Sequence, residues 1–228
     1  MQLRQVSSPN FGERRGGAKP DLVVIHYTAM ESADVACARL CDPQYEVSAH
    51  YLIDEFGEVS QLVAEEMRAW HAGTGSWGAV SDVNSRSIGI ELANSGFAPF
   101  SEGQMQSLEN VLTGVMARWS IPPERIIGHS DMSPGRKNDP GRRFDWRRLA
   151  RLGLSVWPEV EQCSSPSEEA FLLALRVFGY PEAEPGLLRA AFRMRFRPWV
   201  EGALMDQDVD AAMNLARRFP VDRAPQTT

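Results

Sequence analysis

The chain has 228 residues, a formal net charge of −6 and 43% hydrophobic residues. This length suits one domain, or a large domain with a small one, and the hydrophobic content is sufficient for a packed core. The negative charge gives no general attraction to nucleic acid or to an anionic membrane. No apolar run approaches the ~20 residues that a membrane-spanning helix needs.

The N-terminal residues and the cysteines predict where the protein works. Residues 1–9 lack the apolar stretch and cleavage site of a secretory signal, and they lack a lipobox cysteine. Of three cysteines, Cys37 and Cys41 lie four apart on a predicted helix, where Cβ atoms are ~5–6 Å apart. A disulfide needs ~3.5–4.5 Å. We therefore expect free thiols and a cytoplasmic monomer; a trimmed export signal would instead place the protein in the periplasm.

The first half of the chain alternates strand and helix patterns. Residues 22–27 alternate as a strand that places His26 on the face opposite Val23 and Ile25, and residues 32–41 suit a helix. Residues 50–63 predict a β-hairpin that turns at 55–58. The Gly-, Ser- and Asn-rich loop from 71 to 86 is expected to border an active-site cleft.

Two further elements complete an α/β pattern. Residues 101–119 carry an apolar stripe at helical spacing, and Ser101 with Gln104 resembles a capping box. Residues 126 and 127 are the end of a buried strand. Strands that alternate with helices predict a layered α/β fold, a mixed β-sheet flanked by helices.

The pattern changes after residue 157. Residues 158–166 are interpreted as a linker between a first domain, 1–157, and a small C-terminal three-helix domain, 167–228. Its helices are predicted at 167–178, 185–196 and 206–219, each ending near Gly or Pro. About sixty residues make a marginal core, so this unit is expected to pack against the first domain.

The segment 126–141 carries the strongest chemical pattern. A strand end delivers His129, and a Pro- and Gly-rich loop then presents Lys137 and Asp139, which share a side if the segment is extended. His26 also ends an apolar strand, so two imidazoles and one carboxylate would leave a fourth metal position open, as in catalytic zinc sites. Spacing alone leaves the alternative that each histidine is a hydrogen-bonded structural residue.

Glu91 is a candidate catalytic carboxylate. It faces away from the apolar stripe of the strand 87–92, where a carboxylate is costly without a partner or a role. The alternative is a strand with one solvated face.

Five motifs together resemble the zinc-dependent N-acetylmuramoyl-L-alanine amidases of the amidase-2 family, relatives of T7-type lysozymes and peptidoglycan recognition proteins. They span roughly residues 20–145 and are I-H-Y-T (25–28), S-A-H-Y-L-I-D (48–54), A-W-H-A-G (69–73), S-I-G-I-E-L (87–92) and G-H-S-D-M-S-P-G-R-K-N-D-P-G (128–141). Ala49 departs from the T7-type branch, which has a tyrosine before the equivalent histidine. The base role should therefore fall to Glu91.

The resemblance implies the roles of the site residues. His26, His129 and Asp139 would bind one Zn²⁺ per chain, Glu91 would be the general base and then acid, and Lys137 would stabilise the oxyanion. The scissile bond would be the amide between N-acetylmuramic acid and L-alanine in peptidoglycan or anhydro-muropeptides. The substrate-binding candidates are His50, Trp70 (a sugar platform), His71 and Arg136 (a partner for a substrate carboxylate).

Two other functional classes stay open. One is a lytic hydrolase that acts on polymeric peptidoglycan, which the C-terminal helices would favour because they resemble a peptidoglycan-binding module. The other is a non-catalytic muropeptide-binding protein, which the presence of Glu91 and Lys137 disfavours.

Overall fold

The computed structural model describes residues 3–159 and 167–222. Its main sheet has six strands in the order β1-β5-β4-β7-β3-β8, and a separate antiparallel pair joins β2 to β6. The strands are β1 (Leu3–Gln5), β2 (Phe11–Gly12), β3 (Leu22–Tyr27), β4 (Tyr51–Ile53), β5 (Val59–Gln61), β6 (Arg68–Ala69), β7 (Ser87–Leu92) and β8 (Ile126–Gly128).

Helices cover both faces of this sheet. Within the described ranges the α-helices are α1 (Ala33–Cys41), α2 (Val83–Arg86), α3 (Glu102–Trp119), α4 (His129–Met132), α5 (Trp146–Arg151), α6 (Glu168–Phe178), α7 (Pro185–Phe196) and α8 (Asp206–Arg218). Over the same residues, none of the helices has the length and apolarity to cross a bilayer. The mixed sheet is confirmed: β4 and β5 are antiparallel, whereas β3 pairs in parallel with β7 and β8.

Strand alternation divides the core in two. Val23 and Ile25 of β3 join the other strands' inward residues in a cluster with α3 and α5. Leu22 and Val24 face the other way, into a cluster with α6, α7 and α8. His26 continues this second face, so the site lies on the side of the sheet that the C-terminal helices cover.

The predicted helix starts are confirmed, with one difference. The hydroxyl groups of Ser32 and Ser101 cap α1 and α3 by accepting the backbone N–H groups of Val35 and Gln104. The Gln104 side chain does not complete a capping box; it is buried and donates to the carbonyls of Ile53 and Ala93. Tertiary acceptors at the end of β4 and just after β7 thus replace the local partner that the sequence predicts.

The C-terminal helices share their core with the sheet, as expected from their small size. Trp77, which follows β6, is fully buried and packs edge-on against Phe178 of α6 at a ring-centroid distance of 5.4 Å. The predicted linker is described only at 158 and 159, where the backbone N–H of Glu159 donates to Asn214 of α8; residues 160–166 lie outside the described residues. The boundaries 1–157 and 167–228 remain a prediction.

Candidate active site

A cavity of about 400 Å³ opens at the carboxyl ends of β3 and β7, between α1 and the loop that follows α4. Eight of the nine predicted site residues line it: His26, Trp70, His71, Glu91, His129, Arg136, Lys137 and Asp139. The exception is His50. Residues separated by more than a hundred positions in sequence therefore meet in one cleft.

The predicted metal ligands converge on one point. His26 Nδ1 lies 2.9 Å from His129 Nδ1 and 2.8 Å from Asp139 Oδ2, and His129 Nδ1 lies 3.0 Å from Asp139 Oδ2. These atoms form a triangle of facing nitrogen and oxygen atoms, and all three residues are buried. Two imidazoles and one carboxylate are a donor set that zinc accepts in catalytic sites.

The hydrogen bond of His129 to the backbone fixes its tautomer. Its Nε2 lies 2.8 Å from the carbonyl oxygen of Ala72, an atom that can only accept. A neutral ring that donates to this carbonyl carries its proton on Nε2 and presents an unprotonated Nδ1 to Asp139. Two acceptors at 3.0 Å repel each other unless a cation lies between them, so His129 fits a metal ligand.

A chain of side chains fixes the tautomer of His26 in the same way. The Ser87 hydroxyl donates to the Val83 carbonyl at 2.5 Å, so its oxygen can accept from His71 Nε2 at 3.1 Å. His71 Nδ1 then accepts from His26 Nε2 at 3.0 Å. This leaves His26 Nδ1 unprotonated, with its lone pair toward the other two ligand atoms.

Charge and burial support the same protonation states. Burial, and then the neighbouring His129, lower the pKa of His26 to about 4, so the ring is neutral at physiological pH. Burial opposes ionisation of Asp139, but the adjacent imidazoles of His129 and His26 hold its pKa well below the usual range. Both shifts maintain the deprotonated forms that bind a metal.

Glu91 lies in the same cavity without a partner. Glu91 of β7 is paired in register with His26 of the neighbouring strand β3. Its Oε2 atom is buried and forms no hydrogen bond with any described residue. Burial, and then the charge of Asp139, raise its pKa to about 8, while Lys137 opposes the shift. A carboxyl group with such a pKa can both accept and return a proton near neutral pH.

The other charged residues of the cavity are cationic. Lys137 lines the cavity beside Asp139, and no carboxylate of the described residues forms an ion pair with it. The Arg136 guanidinium is held at the rim by the carbonyls of Ala72 and Thr74 and by the Ser133 hydroxyl. Arg39, which the sequence did not single out, adds a third cation from α1 and stacks on Tyr45 at 4.2 Å.

The structure locates three predicted surroundings of the site. His50 does not line the cavity: it is 0% exposed, its Nδ1 accepts the Gly89 N–H, and its Nε2 lies 3.1 Å from the Met67 carbonyl oxygen. His71 lines the cavity, but both of its ring nitrogens are engaged with His26 and Ser87. Of the loop 71–86, only His71 lines the cavity.

Sequence reasoning missed two supports of the site. Ser87 shares a strand face with Glu91, so alternation could have placed it beside the site. The Ala72 carbonyl gave no signal, because a backbone acceptor carries no side-chain identity and its partner His129 lies 57 residues away. Gly89, between Ser87 and Glu91, leaves room for the imidazole: a Cβ there would lie 2.5 Å from the ring of His71.

Comparison with known proteins agrees with this site. The family described as N-acetylmuramoyl-L-alanine amidase matches residues 16–142. The chain is 36% identical to the N-acetylmuramoyl-L-alanine amidase AmiD of Escherichia coli over 83% of this chain and 79% of AmiD. It is also 36% identical to the 1,6-anhydro-N-acetylmuramyl-L-alanine amidase AmpD of Haemophilus influenzae, over 64% of this chain and 89% of AmpD.

Solved structures show the same fold. AmiD of E. coli in complex with the substrate anhydro-N-acetylmuramic acid-L-Ala-D-γ-Glu-L-Lys superposes with a TM-score of 0.81 at 32% identity, covering 93% of this chain and 99% of that chain. AmpDh3 of Pseudomonas aeruginosa in complex with anhydromuramic pentapeptide gives a TM-score of 0.80 at 29% identity, covering 93% and 95%. Both alignments extend over most of this chain.

Proposed function

The chain belongs to the N-acetylmuramoyl-L-alanine amidase family, and we propose that it is a zinc enzyme that hydrolyses the amide bond between N-acetylmuramic acid and L-alanine in soluble anhydro-muropeptides. One observation carries the proposal: His26 Nδ1, His129 Nδ1 and Asp139 Oδ2 meet within 3.0 Å of one another in the cavity that also holds the unpartnered carboxylate of Glu91.

The donor set supports zinc. His26, His129 and Asp139 would hold the ion, and their two neutral imidazoles would leave it a net positive charge. When bound, zinc supplies a Lewis acid that polarises the scissile carbonyl and acidifies water. Ser87, His71 and the Ala72 carbonyl orient the two rings so that both present lone pairs.

The remaining chemistry comes from two side chains. Glu91 accepts a proton from the attacking water as the new C–O bond forms, and it donates that proton to the leaving nitrogen of L-alanine as the C–N bond breaks. Its pKa of about 8 suits both roles. The Lys137 ammonium stabilises the negative charge that develops on the carbonyl oxygen.

The cationic rim supports a substrate that carries carboxylates. Arg39 and Arg136 lie at the cavity and could pair with the carboxylates of a stem peptide. Trp70 lines the same cavity and offers a flat apolar surface on which a sugar ring can pack. The AmiD and AmpDh3 complexes that resemble this chain both hold anhydromuramyl peptides, which favours soluble fragments over polymeric wall.

One comparison tests the substrate. The same preparation, with its zinc content known, is given soluble anhydro-muropeptide and intact sacculi, and the released stem peptide is quantified by chromatography. We expect turnover of the soluble fragment at a much higher kcat/KM. Comparable or faster release from sacculi would favour the lytic hydrolase, and binding without release of peptide would favour a non-catalytic receptor. The Glu91→Gln variant gives the background in both arms.

We also propose that recycling of these fragments takes place in the cytoplasm. The described cysteines, Cys37 and Cys41, are free, in keeping with a reducing compartment. Fractionation of cells that express the natural gene would test this, and recovery of the protein with periplasmic markers would contradict it.

A further inference from the structure

The helix that begins at the ligand His129 is held by a buried carboxylate. α4 has only four residues, and Asp131, two residues after His129, is 0% exposed. Its side chain accepts from three donors: the Gly128 N–H at 2.8 Å, Arg195 Nη1 at 2.7 Å and the Tyr180 hydroxyl at 2.6 Å. Two of the three donors come from the C-terminal part of the chain.

Arg195 also holds the strand that leads to His129. It lies on α7, is 2% exposed, and donates to the Ile126 carbonyl at 3.0 Å and to the Ser155 hydroxyl at 3.1 Å. Among the described strands β8 lies at the edge of the sheet and has β3 as its one neighbour. The guanidinium further stacks on Trp146 at 4.2 Å. Arg195 therefore contacts the first residue of β8 and, through Asp131, the helix that follows its last residue.

Separating Asp131 from Arg195 would cost free energy, and this cost constrains the position of His129. A buried carboxylate that loses its cationic partner is strongly unfavourable, so it would move toward other donors or toward water. Asp131 cannot move independently of His129, because both belong to a single helical turn. The Ala72 carbonyl and the metal ligands tolerate little displacement of the imidazole.

We propose that Arg195 and Tyr180 are positioning residues for the metal ligand His129, so that the C-terminal helices form part of the support of the metal site. This inference rests on the proposed zinc site. It gives the helices a role in catalysis that does not require them to bind cell wall.

A matched pair of variants separates positioning from general stability. Arg193 lies on the same helix, is 5% exposed and forms a buried ion pair with Asp208 of α8 at 2.5 Å; among the described residues its hydrogen bonds go to Asp208, Gly202 and Ala203, and none goes to β8 or α4. Arg195→Met and Arg193→Met therefore remove comparable buried cations. Both should lower the unfolding temperature of the full-length protein.

The decisive readout is zinc affinity, measured by competition with a chelator well below both unfolding temperatures. We expect the Kd for zinc to rise at least about tenfold in Arg195→Met, and to stay near the wild-type value in Arg193→Met. Equal Kd values in the two variants would overturn the inference while leaving the zinc site intact. Absence of zinc binding in the wild type would instead overturn the proposed function.

A milder pair covers the case in which Arg195→Met does not fold. Tyr180→Phe removes the hydroxyl that donates to Asp131, and Tyr51→Phe removes a buried hydroxyl that donates to Glu65 at the same distance of 2.6 Å. Tyr180→Phe should raise the Kd for zinc several-fold and shift the absorption spectrum of the cobalt-substituted protein. Tyr51→Phe should do neither. Identical affinities and spectra in the two variants would contradict the proposal.

Discussion

His26 and Glu91 are paired in register on the adjacent parallel strands β3 and β7. Side chains at paired positions leave the same face of the sheet, so a metal ligand and the unpartnered carboxylate enter one cavity from neighbouring strands. The loop after α4 then brings Lys137 and Asp139 over them. The strand pairing thus sets the distance between His26 and Glu91.

The first prediction concerns the metal. We expect one zinc per chain in the purified protein, and its loss when His26→Ala is combined with His129→Ala, because only one of the three ligands then remains. Elemental analysis measures the content. Glu91→Gln serves as the control that keeps zinc; a full zinc content in the double variant would contradict the assignment.

The second prediction separates chemistry from metal binding. Glu91→Gln should lower kcat by roughly 10²–10⁴-fold because the general base is lost, and Lys137→Met by about 10²–10³-fold because an oxyanion donor is lost. Zinc content should not change in either variant. The sequence has only one other lysine, the exposed Lys19, so Lys19→Met is a matched control. Wild-type turnover in Glu91→Gln would show that another residue is the base.

The third prediction is the pH dependence of stability in the metal-free protein. Burial raises the pKa of Glu91 from 4.5 to about 8. Between these values the folded protein keeps a proton that the unfolded chain releases, so this group makes the free energy of unfolding fall as the pH rises, by up to about 1.4 kcal/mol per pH unit. Urea unfolding of the wild type and Glu91→Gln at pH 5 and pH 8, with chelator, measures the difference.

In that experiment the wild type should lose stability relative to Glu91→Gln as the pH rises, since glutamine does not titrate. The same substitution at the exposed Glu31 is the control for the change of glutamate to glutamine. Parallel pH curves for wild type and Glu91→Gln would show that Glu91 is not held in its neutral form.

The fourth prediction tests the hydrogen-bond chain behind His26. His71→Ala removes the acceptor that fixes the His26 tautomer, so the Kd for zinc should rise about 10–100-fold. Ser87→Ala should have a smaller effect of the same sign. His50→Ala is a suitable control, because His50 is also buried but contacts none of the three ligands. An equal loss of zinc affinity in His50→Ala would mean that the effect of His71 is only structural.

The fifth prediction concerns removal of the C-terminal helices by ending the chain at Gln162. Truncation uncovers apolar residues of the sheet face and the fully buried Trp77. Solubility and unfolding temperature should therefore fall more than KM for soluble substrate rises, in assays with saturating zinc. A truncated enzyme of unchanged stability that no longer binds sacculi would instead identify a wall-targeting module.

The helix bounds show how far local patterns reach. The predictions at 185–196 and 101–119 differ from the observed helices by one residue at most, since caps and Pro or Gly stops are encoded within a few residues. The capping box failed because Gln104 has better acceptors in the carbonyls of Ile53, at the end of β4, and Ala93, just after β7. A local pattern cannot indicate a competing partner that lies 51 residues away.

The four histidines also show that a local sequence pattern does not indicate distant hydrogen-bond partners. The motifs singled out all four and assigned His26 and His129 to the metal, but they gave His50 and His71 a substrate-binding role and not a supporting one. In the sequence pattern His50 and His26 both lie near the ends of strands. Only the structure shows that both ring nitrogens of His50 form hydrogen bonds with the protein backbone. The acceptors of His71 and His129 are likewise distant residues.

The sequence by itself determined the mixed α/β fold, the positions of the five longer helices and the candidate metal-ligand set His26, His129 and Asp139, because strand alternation, helix caps and a long specific motif are local properties of the chain. Only the tertiary structure decided which tautomers the ligands adopt and that His50 is buried away from the cavity. It also decided that Arg195 of α7 donates to Asp131 in the helical turn that carries His129. These features depend on buried donors and acceptors that meet across tens of residues, and their free energy arises only when folding removes them from water.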